Sequence, residues 1–135
     1  MNVLNDILIC HQNPAAMSRY ELVIQGFKEE QRSSGLWIST AAGSSGAIHS
    51  AGGQSMSVDR QEIQYRPREL YQSNTNYKFK GGILRLRSPL IVRSLMHGGV
   101  IFVDGSHSRY SLNFGEMARV VHSSFPLKVV DGGEG

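Results

Sequence analysis

The run LWISTAAGSSGAIHSAGG, Leu36 to Gly53, changes character part-way along. Leu36 to Ser39 is short and rich in β-branched or aromatic residues, the composition of a strand. Ser39 to Gly53 then holds no acidic side chain, no Lys, no Arg, and nothing bulkier than Ile48 and His49. Side chains this small fill little core volume, but they let a backbone come close to something. Ala47 and Ala51 lie four apart and Gly52-Gly53 supplies a stop, so the spacing predicts a helix of about two and a half turns from Gly43 to Ala51. Its propensity is poor, since Gly46 alone costs about 1 kcal/mol relative to alanine in a helix interior. Two readings stay open at this level. One is a tight strand-to-helix turn packed on a sheet. The other is a helix N-terminus whose unpaired N–H groups, with the hydroxyls of Thr40, Ser44 and Ser45, receive a ligand.

The periodicity on either side is that of strands. Leu4 to Cys10 (LNDILIC), Tyr20 to Ile24 (YELVI) and Gly99 to Asp104 (GVIFVD) are short and bounded by Asn, Pro, Gly or Ser. Ile83 to Arg87 (ILRLR) alternates apolar and cationic residues, and Met117 to Val121 with Leu127 to Val130 supply two more candidates. A predominantly β architecture follows. Clusters at Arg32 to Gly35, Gly52 to Met56 and Asp104 to Ser108 read as turns, Gln72 to Lys80 as an exposed polar loop, and the terminal DGGEG as frayed. Asp104-Gly105 reads as a hairpin turn, and Trp37, borne on a strand, as core.

Composition bounds the function. The 135 residues fit one domain, and 14 Lys and Arg against 11 Asp and Glu leave a net charge of +3, which permits an anionic ligand without demanding nucleic acid. The lone Cys10 excludes an internal disulfide framework and suits a reducing compartment. No apolar run approaches the roughly 20 residues of a membrane span, so a cytoplasmic location is expected, with a peroxisomal one left open. Gly43-Ser44-Ser45-Gly46-Ala47 departs from G-x-S-x-G at its last position, and neither a Walker phosphate loop nor a G-x-G-x-x-G fingerprint occurs. His11, His49, His97, His107 and His122 lack the paired spacing of a zinc site. Arg85, Arg87 and Arg93 read as a solvated strand face.

Taken with its neighbours, the small-residue run resembles the NAD kinase family. In that family a strand leads into S-T-x-x-G-S-T-A-x-x-x-S-A-G-G. LNDILIC is similar to the family's L-N-[DE]-hydrophobic strand, Ile63-Gln64-Tyr65 falls in an L-Q-like stretch, and VIFVDGSHSRYSLNFGEMARVVHSSFPLKVV resembles the closing I-x-x-D-G…P-L-x-hydrophobic pattern. NDILICHQNPAAMSRYEL, STAAGSSG and QYRPRE look most like the plant NADH kinase branch. The resemblance runs from Leu4 to Val130 and implies a mainly β, sandwich-like C-terminal NAD-binding domain over residues 1–130, followed by a disordered tail over 131–135.

The implied chemistry is transfer of the γ-phosphoryl of ATP, with Mg2+, to the 2′-hydroxyl of the adenosine ribose of NAD or NADH. Asn5 and Asp6 would then meet the ribose and adenine side of the acceptor. Ser45 and Gly46 would lie against the adenine, Ser50 would help hold the dinucleotide, and Thr40 and Ser44 would add hydroxyls that cap the helix or bind the ligand. No catalytic residue and no metal ligand is assigned within the chain. The family's Gly-Gly-Asp-Gly-Thr motif does not occur in it. The chain is therefore expected to act with a missing N-terminal α/β kinase domain and, as family members do, in a homo-oligomer. The alternative is a non-catalytic dinucleotide-binding or dimerisation module that modulates a full-length kinase. Ala47 replaces a tyrosine of bacterial members, Gly46 an alanine, and Ser34 an acidic residue placed near the nicotinamide. Arg68 is open between facing a pyrophosphate and pairing with Glu69 or Glu62.

Overall fold

The structure, a computed structural model, describes residues 2–3, 5–40, 48, 52–54, 62–71, 76–85, 89–105, 108–121 and 127–134. In chain order the strands are β1 (Asn2–Val3), β2 (Asp6–His11), β3 (Ser18–Ile24), β4 (Phe27–Ser33), β5 (Gly35–Ser39) and β6 (Ile63–Arg68). They continue as β7 (Gly82–Leu84), β8 (Leu90–Ser94), β9 (Gly99–Val103), β10 (Ser108–Ser111), β11 (Glu116–Val121) and β12 (Leu127–Glu134). They form two antiparallel sheets, ordered β1-β12-β11-β8-β3-β4 and β10-β9-β2-β5-β6-β7. The fold is a mainly β sandwich. Its core takes Tyr20, Leu22, Leu90, Val92, Ala118 and Val120 from the first sheet and Ile7, Ile9, Leu36, Ile38, Ile63 and Ile101 from the second.

Alternation along each strand explains which residues enter that core. On β5, Leu36 and Ile38 point inward, so Trp37 between them must face the other way. It is half-buried on the outer face, between Leu8 of β2 and Arg66 of β6 in register. Trp37 is thus not the core residue the sequence suggests. The pleat, more than hydrophobicity, places it.

Several strands escape the sequence patterns. β4 reads FKEEQRS and lies at the edge of its sheet, where one long side is solvated and charged residues carry no burial cost. It pairs with β3 through a two-residue turn, Gln25-Gly26, with φ of 51° and 83°. Both values match a type I′ hairpin, for which Gly26 is the natural second residue. Arg19 and Glu30 form an exposed ion pair across this hairpin at 2.9 Å. Such pairs contribute little, so Glu30→Ala should shift unfolding free energy by no more than about 0.5 kcal/mol in urea titrations.

Two further expectations change on contact with tertiary structure. The polar stretch ending at Lys80 carries a buried anchor, Phe79, which meets Tyr65 edge to face at 6.4 Å. Glu29 accepts from the backbone N–H groups of Lys78 and Phe79 at 2.6 and 3.0 Å, and Gln31 Nε2 donates to the Phe79 carbonyl at 2.6 Å. The final strand extends to Glu134, pairing with Glu116 beyond a bulge near Met117 and Ala118. Residues 131–134 are therefore strand where the sequence reading has a frayed tail. Backbone ladder bonds need no side chains, so a glycine-rich end can still pair when a partner strand is offered. Of the expected helix, Ile48 is helical and fully buried; 41–47 and 49–51 lie outside the described residues. No helix among the described residues is long and apolar enough to cross a membrane.

Candidate functional site

The start of β2, the end of β5 and the end of β9 meet at one corner of the second sheet. Asp6 lies opposite Ser39, and Ile7 opposite Val103, so residues 5, 40 and 104 follow as neighbours. Their backbones are locked together. Thr40 donates to the Asn5 carbonyl from both its N–H, at 2.8 Å, and its hydroxyl, at 3.1 Å. Asp104 Oδ1 accepts from the N–H groups of Asn5 and Asp6 at 2.7 and 3.2 Å, and its own N–H donates to the Asp6 carbonyl at 2.8 Å. With its backbone thus occupied, Asn5 remains exposed.

Asp104-Gly105 does form the expected turn, with φ of 51° and 94°. Its carboxylate has a second role that a one-dimensional reading does not show, because the recipients are 98 and 99 residues away. It also bears electrostatically on Asp6. Burial first, and the Asp104 charge second, push the Asp6 carboxyl above its ordinary value of 3.8. Two carboxylates held together in a native fold are characteristic of sites where charge serves a ligand more than stability. The sign is definite. A raised carboxyl pKa favours folding while the group is protonated, and that contribution is lost as pH rises through the raised value. Asp6→Asn should therefore gain thermal stability over the parent at pH 7 and lose that advantage at about pH 3, as melting curves at the two values would show.

The small-residue segment returns to the sheet beside this corner. Gly53 N–H donates to the Ile48 carbonyl at 2.8 Å. Gln64 of β6 then clips residue 54 with both halves of its amide: Gln54 N–H donates to Oε1 at 2.7 Å, and Nε2 donates to the Gln54 carbonyl at 2.6 Å. A β-carbon on Gly53 would stand 2.7 Å from Gln64 Oε1 and 2.8 Å from the Ile48 carbonyl, closer than such contacts allow. Glycine here permits the approach of backbone to sheet. Gly52, with φ of 99°, faces the Arg66 guanidinium. Ser39 Oγ is buried beneath this segment's strand pair with no hydrogen-bond partner among the described residues.

Of the residues singled out from sequence, Asn5, Asp6 and Thr40 are brought together, and Gly53 lies in a loop against Gln64 of the neighbouring β6. Ser44, Ser45, Gly46 and Ser50 lie outside the described residues. Thr40 is buried and its hydroxyl is spent on the Asn5 carbonyl, so it positions Asn5. Asp104 and Gln64 were missed as site-builders. A polar residue buried on a strand, as Gln64 is, was the available signal for the second.

No family model matches the chain. It is 32% identical over 134 residues to a probable NADH kinase of Oryza sativa subsp. japonica, a match covering 94% of this chain and 41% of that protein. It is also 32% identical over 98 residues to an NADH kinase of Arabidopsis thaliana, covering 73% and 31%. In fold it resembles an NAD kinase from Archaeoglobus fulgidus solved in complex with ATP, with a TM-score of 0.76 at 20% identity over 98% of this chain and 49% of that one. Yeast NADH kinase complexed with NADH gives 0.72 at 19% identity over 96% and 35%. The chain spans less than half the length of each of these proteins.

Proposed function

Because this chain is a relative of the NAD kinase family, of the plant NADH kinase type, we propose that it supplies the acceptor site at which NAD or NADH is held for ATP-dependent phosphorylation of the adenosine-ribose 2′-hydroxyl. The observation that carries this reading is the corner where Asn5, Asp6 and Thr40 converge. Asp104 and Thr40 tie down the Asn5 backbone from both sides, which leaves the Asn5 side chain and the partly buried Asp6 carboxyl to meet a ribose. A carboxylate accepts hydrogen bonds from two vicinal hydroxyls, and an amide beside it both donates and accepts. Small residues of the neighbouring segment, of which Gly53 is the described example, allow a flat base to lie on peptide groups.

The chain's part in the reaction is positioning. Holding the acceptor hydroxyl at a fixed place and angle converts an encounter into an intramolecular step, which can lower a barrier by several kcal/mol. ATP and Mg2+, where bound, supply the phosphoryl group and neutralise its charge. The residues described here include no counterpart of the family's Gly-Gly-Asp-Gly-Thr run, and phosphoryl transfer is assigned to a partner domain. A second reading is a non-catalytic dinucleotide-binding or dimerisation module that modulates a full-length kinase.

Calorimetry of the purified chain with NAD and NADH tests the acceptor site, with saturable binding expected. Asp6→Ala should weaken NADH about tenfold, the loss of one charge-assisted hydrogen bond. Absence of binding to the parent chain, or an unchanged affinity in Asp6→Ala, would refute the assignment. Formation of NADP by the chain alone would contradict the placement of the chemistry elsewhere. Co-purification with a full-length kinase would favour the modulatory reading.

A further inference from the structure

Ser39 is the last residue of β5, and the pleat turns it away from the core that Leu36 and Ile38 enter. It has no exposed surface all the same. Its neighbours are fixed by register: Asp6 of β2 on one side and Gln64 of β6 on the other. Ile7 and Ile63 lie in the core, so Asp6 and Gln64 share the outer face with Ser39, and the three form one row across the sheet.

The two ends of that row have tasks. Gln64 is turned to Gln54 with both halves of its amide. Asp6 presents a partly buried carboxyl beside Asp104. Ser39 in the middle has none: Oγ is buried with no hydrogen-bond partner among the described residues. A buried hydroxyl left unmatched costs folding free energy, so its place in the row points to a partner that it meets in another state.

Asp6 is within its reach. The Thr40 N–H bond to the Asn5 carbonyl, at 2.8 Å, makes residues 5 and 40 a hydrogen-bonded pair. The next pair, Asp6 with Ser39, is then of the non-hydrogen-bonded kind, in which facing side chains stand closest, with β-carbons about 5 Å apart. Across that gap, rotation about the single side-chain bond of serine brings Oγ to hydrogen-bond distance of a carboxylate oxygen. Each carboxylate oxygen offers two lone pairs, so a carboxylate that receives two ribose hydroxyls still has room for a third donor.

We propose, resting on the acceptor reading above, that Ser39 is a positioning residue of this corner: when a ribose engages Asp6, the Ser39 hydroxyl turns to donate to the Asp6 carboxylate and fixes the plane in which it meets the vicinal hydroxyls. Thr40, one residue on, already does the same for Asn5, through its hydroxyl on the Asn5 carbonyl. Two adjacent hydroxyls at the end of β5 thus hold two adjacent residues at the start of β2. In the free chain the Ser39 hydroxyl stays unmatched, and the bond that it gains on loading adds to affinity.

Calorimetry with NADH and melting curves without it test this together. Ser39→Ala should weaken NADH about fivefold, yet leave the melting temperature of the ligand-free chain no lower than the parent's, since the group removed is unmatched there. Ser39→Cys, a similar shape with a weak donor, should fall between the two in affinity. A double-mutant cycle separates positioning from a merely structural role. In an Asp6→Ala background Ser39→Ala should cost nothing further, because the recipient is gone, whereas a structural defect would lower affinity by the same factor in both backgrounds. Equal costs in the two backgrounds would overturn the proposal, as would unchanged affinity in Ser39→Ala or a melting temperature below the parent's. Those outcomes leave the acceptor site standing as long as the parent binds NADH and Asp6→Ala weakens it. A parent chain that does not bind NADH refutes the acceptor reading, and this proposal with it.

Discussion

Gly53→Ala is expected to weaken NADH binding roughly thirtyfold while the sandwich stays folded, because about 2 kcal/mol of overpacking falls on the segment beside the acceptor corner. The added methyl cannot be absorbed by rotating a side chain. One of its two closest neighbours is the Ile48 carbonyl, a backbone atom, and the other is Gln64 Oε1. Oε1 is already committed to the Gln54 N–H at 2.7 Å, and moving it would also break the bond from Nε2 to the Gln54 carbonyl. Relief therefore comes by lifting the segment from β6, which moves the surface proposed to support the base. Gly26→Ala is the control. Its φ of 83° strains an alanine by about 1 kcal/mol, yet no atom lies within 4 Å of the new methyl, and affinity should not change. Calorimetry against NADH with matched melting curves separates the two. Equal affinity in parent and Gly53→Ala would remove the close-approach argument.

Gln31→Leu should lower unfolding free energy by about 3 kcal/mol, roughly 10 °C in melting temperature for a domain of this size. Gln31 has no exposed surface, and each of its polar groups is used. Oε1 accepts from the Tyr20 hydroxyl at 2.9 Å, while Nε2 donates to Glu29 Oε1 at 2.8 Å and to the Phe79 carbonyl at 2.6 Å. Leucine has similar bulk but leaves the Phe79 carbonyl buried and unmatched, so the loss is polar and not a packing defect. Tyr20 keeps one partner, Ser33 Oγ at 2.9 Å, and burial holds its hydroxyl protonated far above the ordinary phenol range. Tyr20→Phe alone should cost about 1 kcal/mol, and the double variant less than the sum of the two, because the hydroxyl and its acceptor disappear together. Additive costs in that cycle would show that the two side chains do not communicate.

The strands legible in the sequence are those with one face in the core. Ile7 and Ile9, Leu36 and Ile38, Ile101 and Val103 alternate with outward residues, and period-two burial leaves a period-two pattern in composition. β4 and β10 are edge strands, the second exposed over Arg109 to Ser111, and selection for burial leaves no such mark on them. β6 mixes Gln64, Pro67 and two arginines because its outer face serves a cavity and a docked loop as well as the sheet. Within the candidate site, Asn5, Asp6 and Thr40 were legible through the motifs that carry them. Asp104 was legible only as a turn, and Arg68 only as a cation of unassigned use, since each acts on residues far away along the chain.

From the sequence alone follow the predominantly β character, the resemblance to NAD kinases, and a small-residue segment that lets backbone come close to something. Each of these is a property of short stretches and their order. Tertiary structure alone decided that Asp104 anchors the start of β2, that Gln64 holds the returning loop, and that Arg68 lines a cavity with Cys10. Those are relations between residues separated by tens of positions, set by strand register and the alternation of the pleat. Hydrogen bonds and charge pairs act over a few ångströms in space, and distance along the chain does not encode that.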